Sequence, residues 1–307
     1  MIETKRNGEW FQITIPNEWE NYTVQDLFRK VWQAPKKQVH ALRMEKRVFV
    51  NEKEADWTQL LRKKDTLAIR FFQNEALPYE AKFYDITILY EDDHLLVVNK
   101  PAGMDTHPNS PEQNDSLANA VAYYLQSKGE FRAFKHIHRL DRDTTGAVLF
   151  AKHAFVGALL DNMLEKREIK RTYLALIHGI LKNKKGTIHK PIGRDRHHAT
   201  RRRVSSSGQD AITHYRLVKV DSKRNLSLVQ CMLDTGRTHQ IRVHLSHIGH
   251  PLAGDLIYGG KPLFSRQALH AVKLQLTHPF TQESITCFAP FSDKPEIFPD
   301  IDPHQLP

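Results

Sequence analysis

From about residue 84 onward, strand-length apolar runs follow one another, each closed by turn residues, and this rhythm constrains the fold more than any other feature of the chain. Ile86–Tyr90 and Leu95–Asn99 flank the turn Glu91-Asp92-Asp93-His94, and Gly146–Ala151, Tyr173–His178, Ala211–Leu217 and Leu226–Leu233 follow. Between them, Ser116 is placed to cap a helix through Leu117, Val121 and Tyr124 that Gly129 ends, and helices are expected at about 153–168 and 238–248. The pattern implies a mixed α/β fold dominated by strands. The apolar runs, such as Leu95–Val98 and Ala147–Ala151, are far shorter than the roughly 18 residues of a membrane-spanning helix. The first residues show no apolar secretory core, and the two cysteines, Cys231 and Cys287, cannot build a disulfide framework. The expected compartment is therefore the reducing cytoplasm.

The 307 residues leave room for two domains, and a break is expected where Phe72–Glu80 turns polar, gains Pro78 and loses all periodicity. The reading is an N-terminal unit over 1–78, a linker at 79–84, a main domain over 85–290 and a tail at 291–307. Within the first unit, Thr23 should cap a helix over 24–32 whose Val24, Leu27, Phe28 and Val31 share a face. A second helix should run from Pro35 to about Met44, and Val48–Asn51 and Thr66–Arg70 read as strands. Between Arg29 and Arg47 stand seven Lys and Arg, among them Lys36, Lys37, Arg43 and Arg47, against the single acid Glu45. With a net charge of +10 on the whole chain, such a stripe suits phosphates, although a charge run can also be no more than a solvated helix face. Arg194, Arg196, Arg201, Arg202 and Arg203 form a second basic stretch, read as an exposed loop.

Two ionisable segments could carry chemistry. His136–Gly146 packs histidines, arginines, acids and two threonines ahead of an apolar strand, and Leu233–His244 is a Gly-containing turn entering a helix with Arg237 and Arg242. Asp141 between two arginines could be only an ion pair, yet a buried aspartate needs a cation such as those of the second segment to stay charged. No phosphate-binding glycine motif is present. His239, His244, His247 and His250 have metal-like spacing, but no glutamate stands among them as zinc hydrolases require, so they read as polar surface or RNA-facing groups and no metal site is expected.

The order of elements in the N-terminal unit resembles the small RNA-binding module named after ribosomal protein S-four. Lys46–Asn51 stands at its Gly-x-Val-x-Val-Asn signature, with Arg47 in place of the glycine. The remainder strongly resembles the RluA-type pseudouridine synthases. Their His-Arg-Leu-Asp-x-x-Thr-Ser-Gly appears as His138–Gly146 with Thr145 for Ser, and their Gly-Arg-Thr-His-Gln-Ile-Arg-x-His as Gly236–His244. Lys170–Ala175, Val98–Gly103 and Leu269–Ala271 also match. The resemblance implies a mixed, mainly antiparallel sheet with a central cleft, and an enzyme that detaches uracil from ribose and rejoins it through C5 without any cofactor. It implies that Asp141 acts as nucleophile on C1′ or C6, that Arg242 pairs with Asp141, and that Tyr173 stacks on uracil and assists removal of the C5 proton. Arg139 would brace the RNA as the base flips out, and Arg237 with Arg201, Arg202 and Arg203 would contact phosphates. The implied partner is structured ribosomal or transfer RNA, met by a monomer. Two competing classes are a catalytically silent RNA-binding ribosome-assembly factor on the same fold and a metal-dependent hydrolase built on the histidine cluster.

Overall fold

The computed structural model describes residues 2–306. The chain opens with a hairpin, β1 (Thr4–Asn7) and β2 (Trp10–Thr14), which the sequence does not announce because β1 is polar and wholly exposed. Thr23 accepts from the Asp26 amide at 3.0 Å and starts α1 (Val24–Asp26). The chain then widens into a π-turn at Leu27–Val31 rather than continuing as one regular helix to Trp32. Next come α2 (Lys36–Met44), β3 (Val48–Val50), β4 (Lys53–Glu54) and β5 (Thr66–Arg70). The five strands form an antiparallel sheet in the order β1-β2-β5-β3-β4. Left-handed backbone in the signature segment falls on Lys46, with φ +51°, and on Asn51, with φ +49°, and not on Arg47.

The basic stripe is narrower in space than in sequence. Lys30 pairs with Asp26 at 3.0 Å, Lys46 with Glu54 at 3.2 Å and Arg47 with Glu45 at 2.5 Å, while Arg29 donates to the carbonyl of Ala34. Lys36, Lys37 and Arg43, all on α2, stay exposed with no ion pair among the described residues.

The second part begins with β6 (Thr87–Glu91), β7 (Leu95–Lys100), α3 (Leu117–Ser127), β8 (Lys135–His136), β9 (Thr145–Ala151) and α4 (Ala154–Glu165). It continues with β10 (Lys170–His178), β11 (Lys185–His189), β12 (Ile192–Arg194), β13 (Arg202–Val204), β14 (Ile212–Asp221) and β15 (Leu226–Leu233). α5 (Gln240–His247), β16 (Leu269–Thr277) and β17 (Ser284–Phe288) complete it. Ser116 and Asn119 cap α3 reciprocally. The large sheet runs β11-β14-β15-β10-β16-β9-β7-β6, with β17 on β16 and β8 on β9. Its pairs are antiparallel except β9 with β16, where Thr145 and Gly146 lie opposite His270 and Ala271. The fold is thus mixed α+β with a mainly antiparallel sheet. Gly146 has φ +116°, and a Cβ there would sit 2.3 Å from the Ala271 carbonyl oxygen, so only glycine lets these two strands meet. Of the stretch read as an exposed basic loop, Arg202 and Arg203 lie in strand β13, hydrogen-bonded to β12 with Arg202 opposite Arg194, while Arg196 and Arg201 do lie in the exposed connection between the two strands. Residues beyond 290 pack rather than trail, since Ile297 and Phe298 are buried.

The two sheets share one core. Phe71, just after β5, stacks on Phe155 at 4.9 Å and on His153 at 4.6 Å, while Phe11 and Trp32 meet Phe280 at 4.9 and 5.3 Å. Arg6 pairs with Asp93 at 3.0 Å at the margin. His94 and His153 lie inside this seam, 2.9 Å apart, and Val156 donates its amide to His153 Nδ1. Burial pushes the His94 pKa down to about 3, against the pull of Asp92, and pushes His153 well below its ordinary value. In the unfolded chain both would take up protons near pH 6.5. The folded state binds fewer protons, so stability present above that pH is lost as pH falls. Each histidine should remove about 1.4 kcal/mol per pH unit. Thermal melts between pH 6.5 and 5, where few carboxylates titrate, should show this slope, and a chain with both histidines changed to Gln should have a shallower one, with His136, His138 and His270, which burial also pushes down, supplying the remainder. An equal slope in both chains would remove the histidines from the account.

Candidate active site

Asp141 sits in the connection from β8 to β9, and that turn is clamped from two sides. Thr144 closes it with a hydrogen bond to the Asp141 carbonyl at 3.0 Å, and the Thr106 hydroxyl bonds the Leu140 amide and carbonyl, each at 3.0 Å. Lys100, fully buried at the end of β7, donates to the carbonyls of Pro101, Met104 and Arg142 at 2.9, 2.6 and 2.8 Å. Burial lowers the Lys100 pKa to about 7, with Asp141 foremost among the carboxylates that resist the shift. From the other side, Arg266 donates to the Asp143 carbonyl at 3.1 Å and to the Thr145 hydroxyl at 2.9 Å, while Asp293 holds its other edge. Thr145 also bonds His270 at 2.7 Å, which gives the hydroxyl at this position a structural use.

Arg242, on α5, places Nη1 3.1 Å from Asp141 Oδ2. Its Nε and Nη2 make a bidentate pair with Asp255 at 2.7 and 2.9 Å, so the guanidinium bridges two carboxylates. Burial opposes its charge, yet the hydrogen bonds to Asp255 and the field of Asp141 outweigh that cost and push its pKa up. Tyr173 lies on β10 where the register with β16 breaks between Thr172 and Leu174, a bulge that turns the ring toward the same cleft. Burial raises its hydroxyl pKa. The cleft measures about 600 Å³ and is also lined by Arg139, Arg171, Arg237 and His239.

The structure therefore brings together Asp141, Tyr173, Arg242, Arg139 and Arg237. Arg202 and its neighbours stand beside the cleft on β13, where the Arg202 amide donates to the Tyr258 hydroxyl at 2.9 Å and Arg201 lies over that ring. Lys36, Lys37, Arg43 and Arg47 line none of it; the first three lie on α2 and Arg47 on the turn between α2 and β3. The histidine run also needs correction. His244 is not surface but fully buried, with both nitrogens bonded, to the Thr213 hydroxyl and the Lys190 carbonyl at 2.9 Å each. His250 bonds the His178 carbonyl at 2.8 Å and His239 the Tyr258 hydroxyl at 2.8 Å. Among the described residues, no group of three or more His, Cys, Asp or Glu could hold a metal ion. No helix there is long and apolar enough to cross a membrane. In the sequence, Lys100 and Arg171 stand only as members of matched motifs, and Asp255, Arg266 and Tyr258 stand in none. An acid inside the Gly-flanked run Gly254–Gly260 was the only local sign of Asp255.

The chain is similar to known proteins. A family model described as RNA pseudouridylate synthase matches residues 94–247, and one described as the RluD ribosomal pseudouridine synthase N-terminal domain matches residues 11–67. An uncharacterized RNA pseudouridine synthase of Bacillus subtilis, YhcT, is 45% identical over 93% of this chain and 95% of its own length. The ribosomal large subunit pseudouridine synthase D of Haemophilus influenzae is 41% identical over 70% of each chain. The solved structure of human RNA pseudouridylate synthase domain containing 1 superposes with a TM-score of 0.55 and 27% identity, covering 67% of this chain and 83% of that one. A chain with this degree of identity, and with two family models along it, belongs to the RNA pseudouridylate synthase family and is a pseudouridine synthase, an isomerase of uridine in RNA.

Proposed function

We propose that the chain converts particular uridines of structured RNA to pseudouridine, with ribosomal RNA as the substrate class and Asp141 as the nucleophile. The observation that carries the reading is the Arg242–Asp141 contact of 3.1 Å in a cleft wide enough for a flipped nucleotide. In this scheme Arg139, exposed at the cleft, braces the stack that the target nucleotide leaves. The Asp141 carboxylate attacks ribose C1′ or uracil C6 as the glycosidic bond is exchanged. Tyr173 supports the uracil face, and the proton on C5 is released when the new C–C bond is complete. N1, freed from the ribose, takes up a proton as C5 releases one, so product and substrate are isomers and no cofactor is invoked. Arg237, Arg201, Arg202 and Arg203 would neutralise phosphates around the mouth. The name carried by the Haemophilus influenzae relative supports large-subunit ribosomal RNA over transfer RNA. The enzyme would act as a monomer in the cytoplasm. Pseudouridine mapping of RNA from cells with and without this chain tests the proposal, and an unchanged map would reject it.

Helix α2 is assigned the task of holding RNA through Lys36, Lys37 and Arg43. Changing these three to Gln in the full chain should weaken RNA binding and flatten the slope of log affinity against log salt, by roughly 0.7 to 0.9 for each phosphate no longer neutralised. Because all three are exposed on α2, the melting temperature should not move. An unaltered salt slope would return the stripe to a solvated face.

A further inference from the structure

Tyr258 closes the short helical turn Leu256–Tyr258 and is buried between the β12–β13 hairpin and the cleft. Its hydroxyl oxygen lies 2.9 Å from the Arg202 amide and 2.8 Å from His239 Nδ1. The amide can only donate, so the oxygen accepts there. The single hydroxyl hydrogen is left for Nδ1, which places the imidazole proton on Nε2. The opposite assignment would leave the hydroxyl hydrogen without an acceptor among the described residues and would turn a bare lone pair toward a carboxylate. His239 Nε2 lies 4.0 Å from Asp141 Oδ2, the oxygen that also receives Arg242. Asp141 Oδ1 has no hydrogen bond among the described residues. His239 holds this place at a cost, since it takes a left-handed backbone, φ +58°, at the entry to α5.

We propose that Tyr258 and His239 are a positioning pair for the isomerisation: Tyr258 fixes the Nε2–H tautomer of His239, His239 and Arg242 together hold Asp141 Oδ2, and Oδ1 is the oxygen presented to the nucleoside. The inference rests on the reading of Asp141 as nucleophile. Burial lowers the His239 pKa, against the pull of Asp141, and Arg242, Asp255 and Arg202 also face the ring. The imidazole is thus a neutral donor near pH 7. Catalytic hydrogen bonds commonly tighten when substrate binds, and the 4.0 Å separation needs to shorten by about one ångström in the complex.

The test uses the full chain and, as probe, RNA labelled with tritium at uridine C5 and taken from cells lacking it. Single-turnover tritium release is read beside RNA affinity by filter binding. His239→Asn suits the left-handed backbone but is too short to reach Asp141, and it should slow release by about tenfold or more, the scale of a hydrogen bond to a charged group. Its affinity should not change. His239→Gln, whose amide nitrogen reaches the Nε2 position, should recover most of the rate. Tyr258→Phe should show an intermediate rate, and its nitrogen-15 imidazole spectrum should show both His239 tautomers where the unaltered chain shows Nε2–H alone. Release by His239→Asn at the unaltered rate, or a His239 spectrum of the Nδ1–H form, overturns the positioning pair while leaving the function intact. If the unaltered chain releases no tritium, the functional reading fails instead, and the tautomer spectrum still decides the hydrogen-bond assignment.

Discussion

Asp141→Asn is expected to lower pseudouridine formation by more than about a thousandfold, the scale on which enzymes lose activity when a nucleophile is removed. The protein should melt as before and bind RNA as before. The reason is Asp255, which holds the Arg242 guanidinium bidentately and keeps that buried cation paired after the Asp141 charge has gone. Arg242→Ala is the less clean experiment. It would strand Asp255, whose side chain is 1% exposed, and an uncompensated buried charge costs about 3–5 kcal/mol. Tritium release and a thermal melt on the two variants separate these cases. Turnover by Asp141→Asn within tenfold of the unaltered chain would end the assignment.

The chain cut to begin at residue 80 is expected to lose stability as well as the RNA contacts assigned to Lys36, Lys37 and Arg43. Read from sequence, the polar stretch after Phe72 suggests that the catalytic part could work alone. The structure shows that the cut strips Phe71, Phe11, Phe28 and Trp32 from Phe155, Phe280 and His153. Each aromatic ring returned to water forfeits roughly 1.5–3 kcal/mol, so the melting temperature should drop by on the order of 10 °C or more, if the fragment stays in solution at all. Circular dichroism against temperature reads this directly. A fragment as stable as the whole chain would show that the shared core is incidental to folding.

What the sequence made legible was local. Thr23 and Ser116 announce their helices because a capping hydroxyl acts within three residues, and Leu226–Leu233 reads as a strand because it is apolar along most of a strand's length. The failures have one common cause, which is that the deciding partner is remote. β1 is polar and stands at an edge, so only its pairing with β2 makes it a strand. Arg202 and Arg203 look like loop until β12 is set beside them. His244 looks like surface until Thr213 and Lys190 arrive from other elements. Asp141 and Arg242 are legible because they lie in long ordered motifs, whereas Asp255 and Arg266 support them through contacts that no local pattern encodes.

The parallel pairing of β9 with β16 also sets the order of events when the chain is made. Thr145 and His270 are 125 positions apart, so a nascent chain displays the Asp141 turn long before its clamp, Arg266, has left the ribosome. Until then the centre of the large sheet has an open edge on β9, apolar on both faces and without its neighbour. Pairing across so long a loop is slow, and unpaired strands of this kind are the ones that associate wrongly with other chains. Full support of this turn is thus among the last properties the newborn protein acquires, and truncation before Arg266 leaves the aspartate held from the Thr106 and Lys100 side alone.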